Sequence, residues 1–252
     1  LVEEFDSRRR TKKVKRGILL AALLCAPLAT RAATIFETPP GSTSNALPVS
    51  ARAEFTLVGN ELTLVLTNLQ ADPTAVGQAL SDISFRVTES GSTLTAGTLT
   101  SDTSTEVNIA ADGTPTYPGI VVSTGWALGL LGGTELHLNL LGTPTAPEHT
   151  IIGPPDAGGV YTSANASIAG NGPHNPFLDQ TATFEITIPG ITANSVISNV
   201  VFSFNTAPGF NVTGECVSGC GTIGEIPEPS SMLFLGGGLL GIGFLRQRRR
   251  AA

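Results

Sequence analysis

The chain has 252 residues, 29 of them Gly and 17 Pro, and only 13% are charged. That balance fits one or two turn-rich β domains and argues against a helical bundle or coiled coil. The charge is strongly segregated: residues 1–31 carry eight Lys or Arg, residues 246–250 carry four Arg, and residues 33–226 carry only Arg52 and Arg86 against ten Glu and six Asp. The middle of the chain thus has a formal charge of −14 and no Lys. Such a surface repels phosphate backbones, which excludes nucleic acid as a partner and leaves no basic patch for anionic lipid.

In chain order, the first element reads as a secretory signal peptide over residues 1–32. The basic run Arg8–Arg16 leads into the apolar stretch Gly17–Ala26, and Pro27 breaks it. Thr30-Arg31-Ala32 then offers small residues to a signal peptidase, so cleavage is expected after Ala32, with Ala33 as the alternative. The apolar run is too short to span a bilayer. Ala22-Leu23-Leu24-Cys25 lacks the small residue that should precede a lipidated Cys. Arg8-Arg9-Arg10 lacks the apolar residues that follow a twin-arginine pair.

Residues 33–50, with Pro39, Pro40, Gly41 and Pro48 among Ser and Thr, read as an irregular lead-in strand or linker. Residues 51–214 read as one β ectodomain. Phe55 and Leu57 alternate with Glu54, Thr56 and Val58; Gly59-Asn60 is a two-residue hairpin signal; Leu62, Leu64 and Leu66 alternate with Thr63, Val65 and Thr67. Asp82–Thr88 repeats the alternation with Ile83, Phe85 and Val87 inward. Further strands are expected at Ser92–Thr100, Thr105–Ala110, Gly119–Thr124, Thr134–Leu141, Gly159–Ile168, Thr181–Ile188 and Val196–Asn205. Ala127–Leu131 is apolar enough for a helical turn, although Gly125, Gly129, Gly132 and Gly133 disfavour a longer helix. About ten short strands with frequent turns predict an all-β fold, a single β-sandwich or jelly-roll.

Residues 215–226 form a Cys-containing stem. Once Cys25 leaves with the signal peptide, Cys216 and Cys220 are the only cysteines. An even pair in an exported chain points to a disulfide, with free thiols or a metal site as the other readings; a metal would need more ligands, and no His lies nearby in sequence. The block 227–252 follows. Pro227-Glu228-Pro229 precedes the Gly- and Leu-rich run Ser231–Leu245, and Arg246-Gln247-Arg248-Arg249-Arg250 comes next. At ~1.5 Å per residue the run rises roughly 22 Å, short of the ~30 Å hydrocarbon core unless flanking Arg side chains snorkel or the bilayer thins. The Arg cluster, Arg246, Arg248, Arg249 and Arg250, would stay cytoplasmic and leave residues 33–226 outside.

The ordered trio of Pro-Glu-Pro, apolar span and Arg cluster resembles the PEP-CTERM sorting signal of Gram-negative envelope proteins. The resemblance covers about 25 residues, 226–250. It implies recognition by an exosortase, an integral-membrane transpeptidase-like enzyme, with Pro227, Glu228 and Pro229 as the sorting motif, Ser231–Leu245 as a transmembrane sorting helix and the Arg cluster as a cytoplasmic retention signal. Expected partners are therefore the exosortase, the secretion machinery and, before processing, the membrane. More faintly, Ala53–Leu69, His174-Asn175-Pro176-Phe177 and Phe184–Phe204 are similar to ectodomains joined to such tails, a match that implies no activity.

No catalytic set stands out, and no cofactor is expected. His137 sits in Leu136-His137-Leu138, a strand pattern that turns it to solvent, and His174-Asn175-Pro176-Phe177 is either a ligand loop or a hydrogen-bonded loop that holds the next strand. His149 fits no zinc-protease pattern. Asp102, Glu106 and Asp112 could offer calcium ligands but form no EF-hand or nonapeptide pattern, so no metal is assigned. Asn165-Ala166-Ser167 and Asn211-Val212-Thr213 match the glycosylation triplet. The expected function is that of an exported, non-catalytic cell-surface or extracellular-matrix protein with a structural or adhesive role. The alternative is a carbohydrate-binding module for exopolysaccharide, with Trp126, Tyr117 and Tyr161 as stacking platforms. A hydrolase built on a carboxylate pair is the third reading.

Overall fold

The computed structural model describes residues 33–220. Ala32 and the rest of the signal peptide, the sorting motif Pro227–Pro229, the expected transmembrane span and the Arg cluster lie outside the described residues. Among the described residues, no helix is long and apolar enough to cross a membrane.

The described chain is all-β, with one turn of 3₁₀ helix at Val76–Gln78. Its strands are β1 (Thr34–Glu37), β2 (Thr43–Ser44), β3 (Leu47–Pro48), β4 (Ala51–Val58), β5 (Glu61–Asn68), β6 (Leu80–Glu89), β7 (Ser92–Leu94), β8 (Thr98–Ile109) and β9 (Pro115–Thr116). They continue with β10 (Val121–Ser123), β11 (Ala127–Leu131), β12 (Glu135–Asn139), β13 (Ile151–Ile152), β14 (Phe177–Thr187), β15 (Val196–Phe204), β16 (Asn211–Thr213) and β17 (Glu215–Ser218).

The β4–β5 hairpin forms where the alternation predicts it. Ala51, Ala53, Phe55 and Leu57 face the core from β4, and Leu62, Leu64 and Leu66 from β5. Val58 pairs with Glu61, and Gly59 takes φ +61° in the two-residue turn, a backbone region that costs glycine nothing. Ile83, Phe85 and Val87 of β6 are fully buried, as their period-two spacing requires.

All strands but β2 and β3 belong to one fifteen-stranded hydrogen-bonded sheet. Its pairings fall into two runs. One is β17-β1-β4-β5-β14-β8, with β9 and β10 along the outer edge of β8. The other centres on β6, which pairs with β12 on one side and β15 on the other; β11 extends beyond β12 and β16 beyond β15. The two-residue β13 joins the runs: Ile151 lies opposite Leu178 of β14 in parallel pairing and opposite Leu80 of β6 in antiparallel pairing.

Side chains from both runs share one core. Phe55 of β4 meets Phe85 of β6 with ring centroids 5.0 Å apart, and Phe36 of β1 stands edge-on to Phe55 at 6.1 Å. Each such buried ring contributes about 1.5–3 kcal/mol through area removed from water. A second cluster, including Val107, Ile109, Tyr161, Ile168 and Phe177, packs beneath the loops of residues 153–176.

Three local expectations are corrected. Gly159–Ile168 forms turns rather than a strand: Asp156 accepts the N–H groups of Gly158 and Val160, and Asn165 accepts the N–H and hydroxyl of Ser167. These side chains satisfy the backbone that a ladder would otherwise need to pair. Ala127–Leu131 is the edge strand β11 rather than a helical turn, because β12 offers it a partner from Asn139 to Glu135. Strands expected separately within 92–110 are divided differently: β8 runs unbroken from Thr98 to Ile109, and only the short β7 precedes it.

Candidate functional site

The fold brings the two ends of the described chain together. In β1 and β17, Ile35 lies opposite Ser218, Phe36 opposite Cys216 and Glu37 opposite Glu215. Pairing thus extends on both sides of the 51–214 span, and the residues following Ala33 lie beside the first residues of the stem. Cys216 and Cys220 are joined in a disulfide with Cα atoms 5.7 Å apart. Gly219 makes that short loop possible: its φ is +69°, and a Cβ there would stand 2.7 Å from the Ala33 carbonyl oxygen. The disulfide therefore closes a short loop at the end of β17, while backbone pairing holds β17 against β1.

Two histidine–carboxylate pairs that belong to no sequence motif lie partly buried in the domain. His149 Nδ1 donates to the Thr124 carbonyl at 2.9 Å, since a carbonyl can only accept. Its Nε2 then faces Glu106 Oε1 at 3.0 Å, an ion pair when the ring is protonated. The His149 carbonyl accepts the Trp126 indole N–H at 3.0 Å. Asp102 secures the same corner by accepting the Thr124 hydroxyl at 2.6 Å and the Gly125 N–H at 3.0 Å. Gly125 has φ +73°, and a Cβ there would lie 2.1 Å from the Thr145 hydroxyl oxygen. Together these bonds drive Trp126 inward onto Phe184, with ring centroids 5.4 Å apart.

His137 does not point freely to solvent. It is half-buried and bonded through Nε2 to Asp82 across the β6–β12 pair. On the same face, Arg86 pairs with Glu135 at 3.3 Å. The His174 loop takes its hydrogen-bonded form: His174 Nδ1 meets the Ser167 carbonyl at 2.7 Å, and Asn175 accepts the Ile109 N–H at 2.7 Å while donating to the Asn171 carbonyl at 2.9 Å. The loop so positions Phe177 at the start of β14. All three histidines thus serve contacts within the domain; the carboxylate partners of His137 and His149 are too distant in sequence for spacing to announce them, whereas His174 bonds locally, seven residues back.

The stacking candidates separate. Trp126 is 4% exposed and Tyr161 1%, the latter donating its hydroxyl to the Gly153 carbonyl at 3.0 Å. Neither offers a face to a sugar; only Tyr117 does. Burial pushes the Tyr161 phenol far above its ordinary range, reinforced by nearby Tyr117 and Asp179. Burial also raises the Asp179 carboxyl, opposed by the Gln180 amide that donates to it.

The loop carboxylates are held differently. Asp156 is lowered by the Val160 N–H and then the Thr162 hydroxyl; Asp112 is lowered by the Thr114 N–H; Glu89 is lowered by the Ser195 and Thr192 hydroxyls. Asp102, Glu106 and Asp112, considered above as calcium ligands, are each bonded to different groups and do not converge. Among the described residues, no group of three or more His, Cys, Asp or Glu side chains is placed to hold a metal ion.

An acidic all-β domain with adjoining first and last strands, followed in sequence by Pro-Glu-Pro, an apolar run and an Arg cluster, has the organisation of an exported protein that carries its own sorting address. Comparison with family models identifies that address: residues 225–250 match the PEP-CTERM protein-sorting motif. The chain thus carries a PEP-CTERM sorting motif at its C-terminal end, which supports an exosortase substrate and implies export to the cell surface or beyond. No match was found among curated proteins or solved structures.

Proposed function

We propose that this is a non-catalytic protein of the cell surface or extracellular matrix, with a structural or adhesive role exercised by its β domain. The observation that carries the reading is the sorting motif placed directly behind an acidic domain. The histidines support it, because their ring nitrogens hold loops and strands rather than activate a nucleophile. Burial of Trp126 and Tyr161 favours this reading over the carbohydrate-binding alternative. In architectural terms we propose that the two strand runs are the layers of a β-sandwich, since both contribute to one apolar core.

The proposal extends to processing. A signal peptide ending at Ala32 starts export. The run Ser231–Leu245 then docks in the membrane as a short helix, halted by Arg246–Arg250, and the exosortase cuts near Pro227–Pro229. Five Gly in that run weaken a helix but permit close approach by a partner helix. The test is a C-terminally tagged chain expressed with and without an exosortase. Loss of the tag only when the enzyme is present, with the domain outside the inner membrane, is the expected result. A tag retained in both strains, on stably membrane-bound protein, would replace this reading with a simple tail anchor.

A further inference from the structure

One side of the domain differs from the rest. No charged residue lies between Asp112 and Glu135, although residues 33–226 carry a formal charge of −14. This neutral stretch contains two open sheet edges. Residues 115–123 run along β8, with β9 and β10 each paired to it, and among the described residues no strand pairs with their other side. β11 is likewise paired only to β12. Five of the eight large hydrophobic side chains exposed among the described residues fall here: Tyr117 (48%), Ile120 (57%), Val121 (70%), Leu130 and Leu131.

The geometry of β10 suits it to pairing. The Thr124 N–H donates back to the Asp102 carbonyl on β8. Backbone groups alternate sides along a strand, so those of Val121 and Ser123 point toward the open edge. Val122 packs against the core while Val121 stands in solvent. Natural edges are protected by charge, Lys, bulges or covering loops. The β17 edge has such protection in Glu215 and the Cys216–Cys220 disulfide, whereas β10 has none of these side-chain devices.

We infer that the β10 edge is a self-association surface, on which a second copy of this chain pairs its own β10 antiparallel about a two-fold axis. Charge selects the occupant. Two copies this acidic repel wherever carboxylates meet, and this strip, which bears no charge of its own and has the Asp102 carboxylate of β8 only at its Ser123 end, is where they approach at lower cost. A basic partner would instead be drawn to the faces that bear the carboxylates. The strip is also self-complementary: a two-fold operation matches the Val121 and Ser123 backbone groups with their counterparts and buries Ile120 and Val121 on both copies. The inference deepens the structural reading above, and rests on it for the place where copies meet, but the pairing itself can be read on purified protein.

The test uses the full chain in a non-ionic detergent, with Cys25→Ala and Ile120→Cys, treated with a short bismaleimide. The expected product is a covalent homodimer. Adding Val121→Asp, which sets two carboxylates against each other, lowers the crosslinked fraction about tenfold or more, because like charges directly opposite destabilise a strand pair. Val217→Asp, at an exposed residue on the β17 edge, leaves the crosslink unchanged. Light scattering on the processed protein recovered from cells gives a mass of two or more copies, reduced to one by Val121→Asp. Monomer at all concentrations, a dimer insensitive to Val121→Asp, or crosslinking to a different protein would overturn the inference. If self-association fails while tag loss and export persist, the surface-protein reading stands; if sorting fails while the dimer forms, only that reading falls.

Discussion

Asn68 offers the sharpest test of how the two strand runs are joined. Its side chain is buried at the end of β5. Nδ2 donates to the Gln78 carbonyl and the Ile151 carbonyl, both at 2.9 Å, and Oδ1 accepts the Gln70 N–H at 3.0 Å. One amide thus bridges β5, the 3₁₀ turn and β13, the short strand that connects β14 to β6. Asn68→Ala removes all three bonds. The two carbonyls then lose a buried donor at about 1–2 kcal/mol each, and the half-exposed Gln70 N–H recovers part of its bond from water. The expected loss is about 3 kcal/mol, a large fraction of a domain stability on the order of 5–15 kcal/mol. Asn68→Asp preserves shape but places a carboxylate oxygen against two carbonyl oxygens, so at neutral pH it costs more than Ala. Urea unfolding followed by far-ultraviolet circular dichroism measures both. A loss below about 1 kcal/mol for Ala, or an Asp variant more stable than Ala at neutral pH, would refute the bridging role.

Three further perturbations separate packing from surface chemistry. Trp126→Ala removes a core ring packed on Phe184, so it costs about 3–5 kcal/mol in denaturant unfolding and leaves any glycan binding by the folded fraction unchanged; a selective loss of glycan binding at full stability would restore the stacking role. Gly153→Ala places a Cβ 2.0 Å from the Gln70 carbonyl oxygen, a backbone atom that cannot swing aside, and lowers Tm strongly, whereas Ala at the open Gly129 changes it little. Burial raises the Asp179 carboxyl, so its contribution to stability is complete below the ordinary carboxylate range and is lost as pH rises through the raised value. Asp179→Asn keeps the Gln180 contact, stabilises the domain at neutral pH and flattens that part of the pH profile; a lower Tm at neutral pH would contradict the burial argument.

The exported, exosortase-directed character of this chain is written in residues that act in linear order. Pro227, Glu228, Pro229, the apolar run and the Arg cluster are read by their succession, and a local pattern suffices for that. The β4–β5 hairpin is legible for the same reason, since alternation around Gly59-Asn60 defines both faces and the turn. What tertiary structure decided are the relations between residues far apart in the chain. Ala127–Leu131 becomes a strand because β12 is there to pair with it, and Gly159–Ile168 does not because Asp156 and Asn165 satisfy its backbone first. Glu106 finds His149 across 43 positions and Asp82 finds His137 across 55, separations at which no spacing rule operates. Trp126 turns inward only because the Asp102 and His149 contacts hold its corner. Local alternation records which side of a strand is apolar; it carries no information about which distant strand, loop or carboxylate will meet that side, since chain folding alone brings them together.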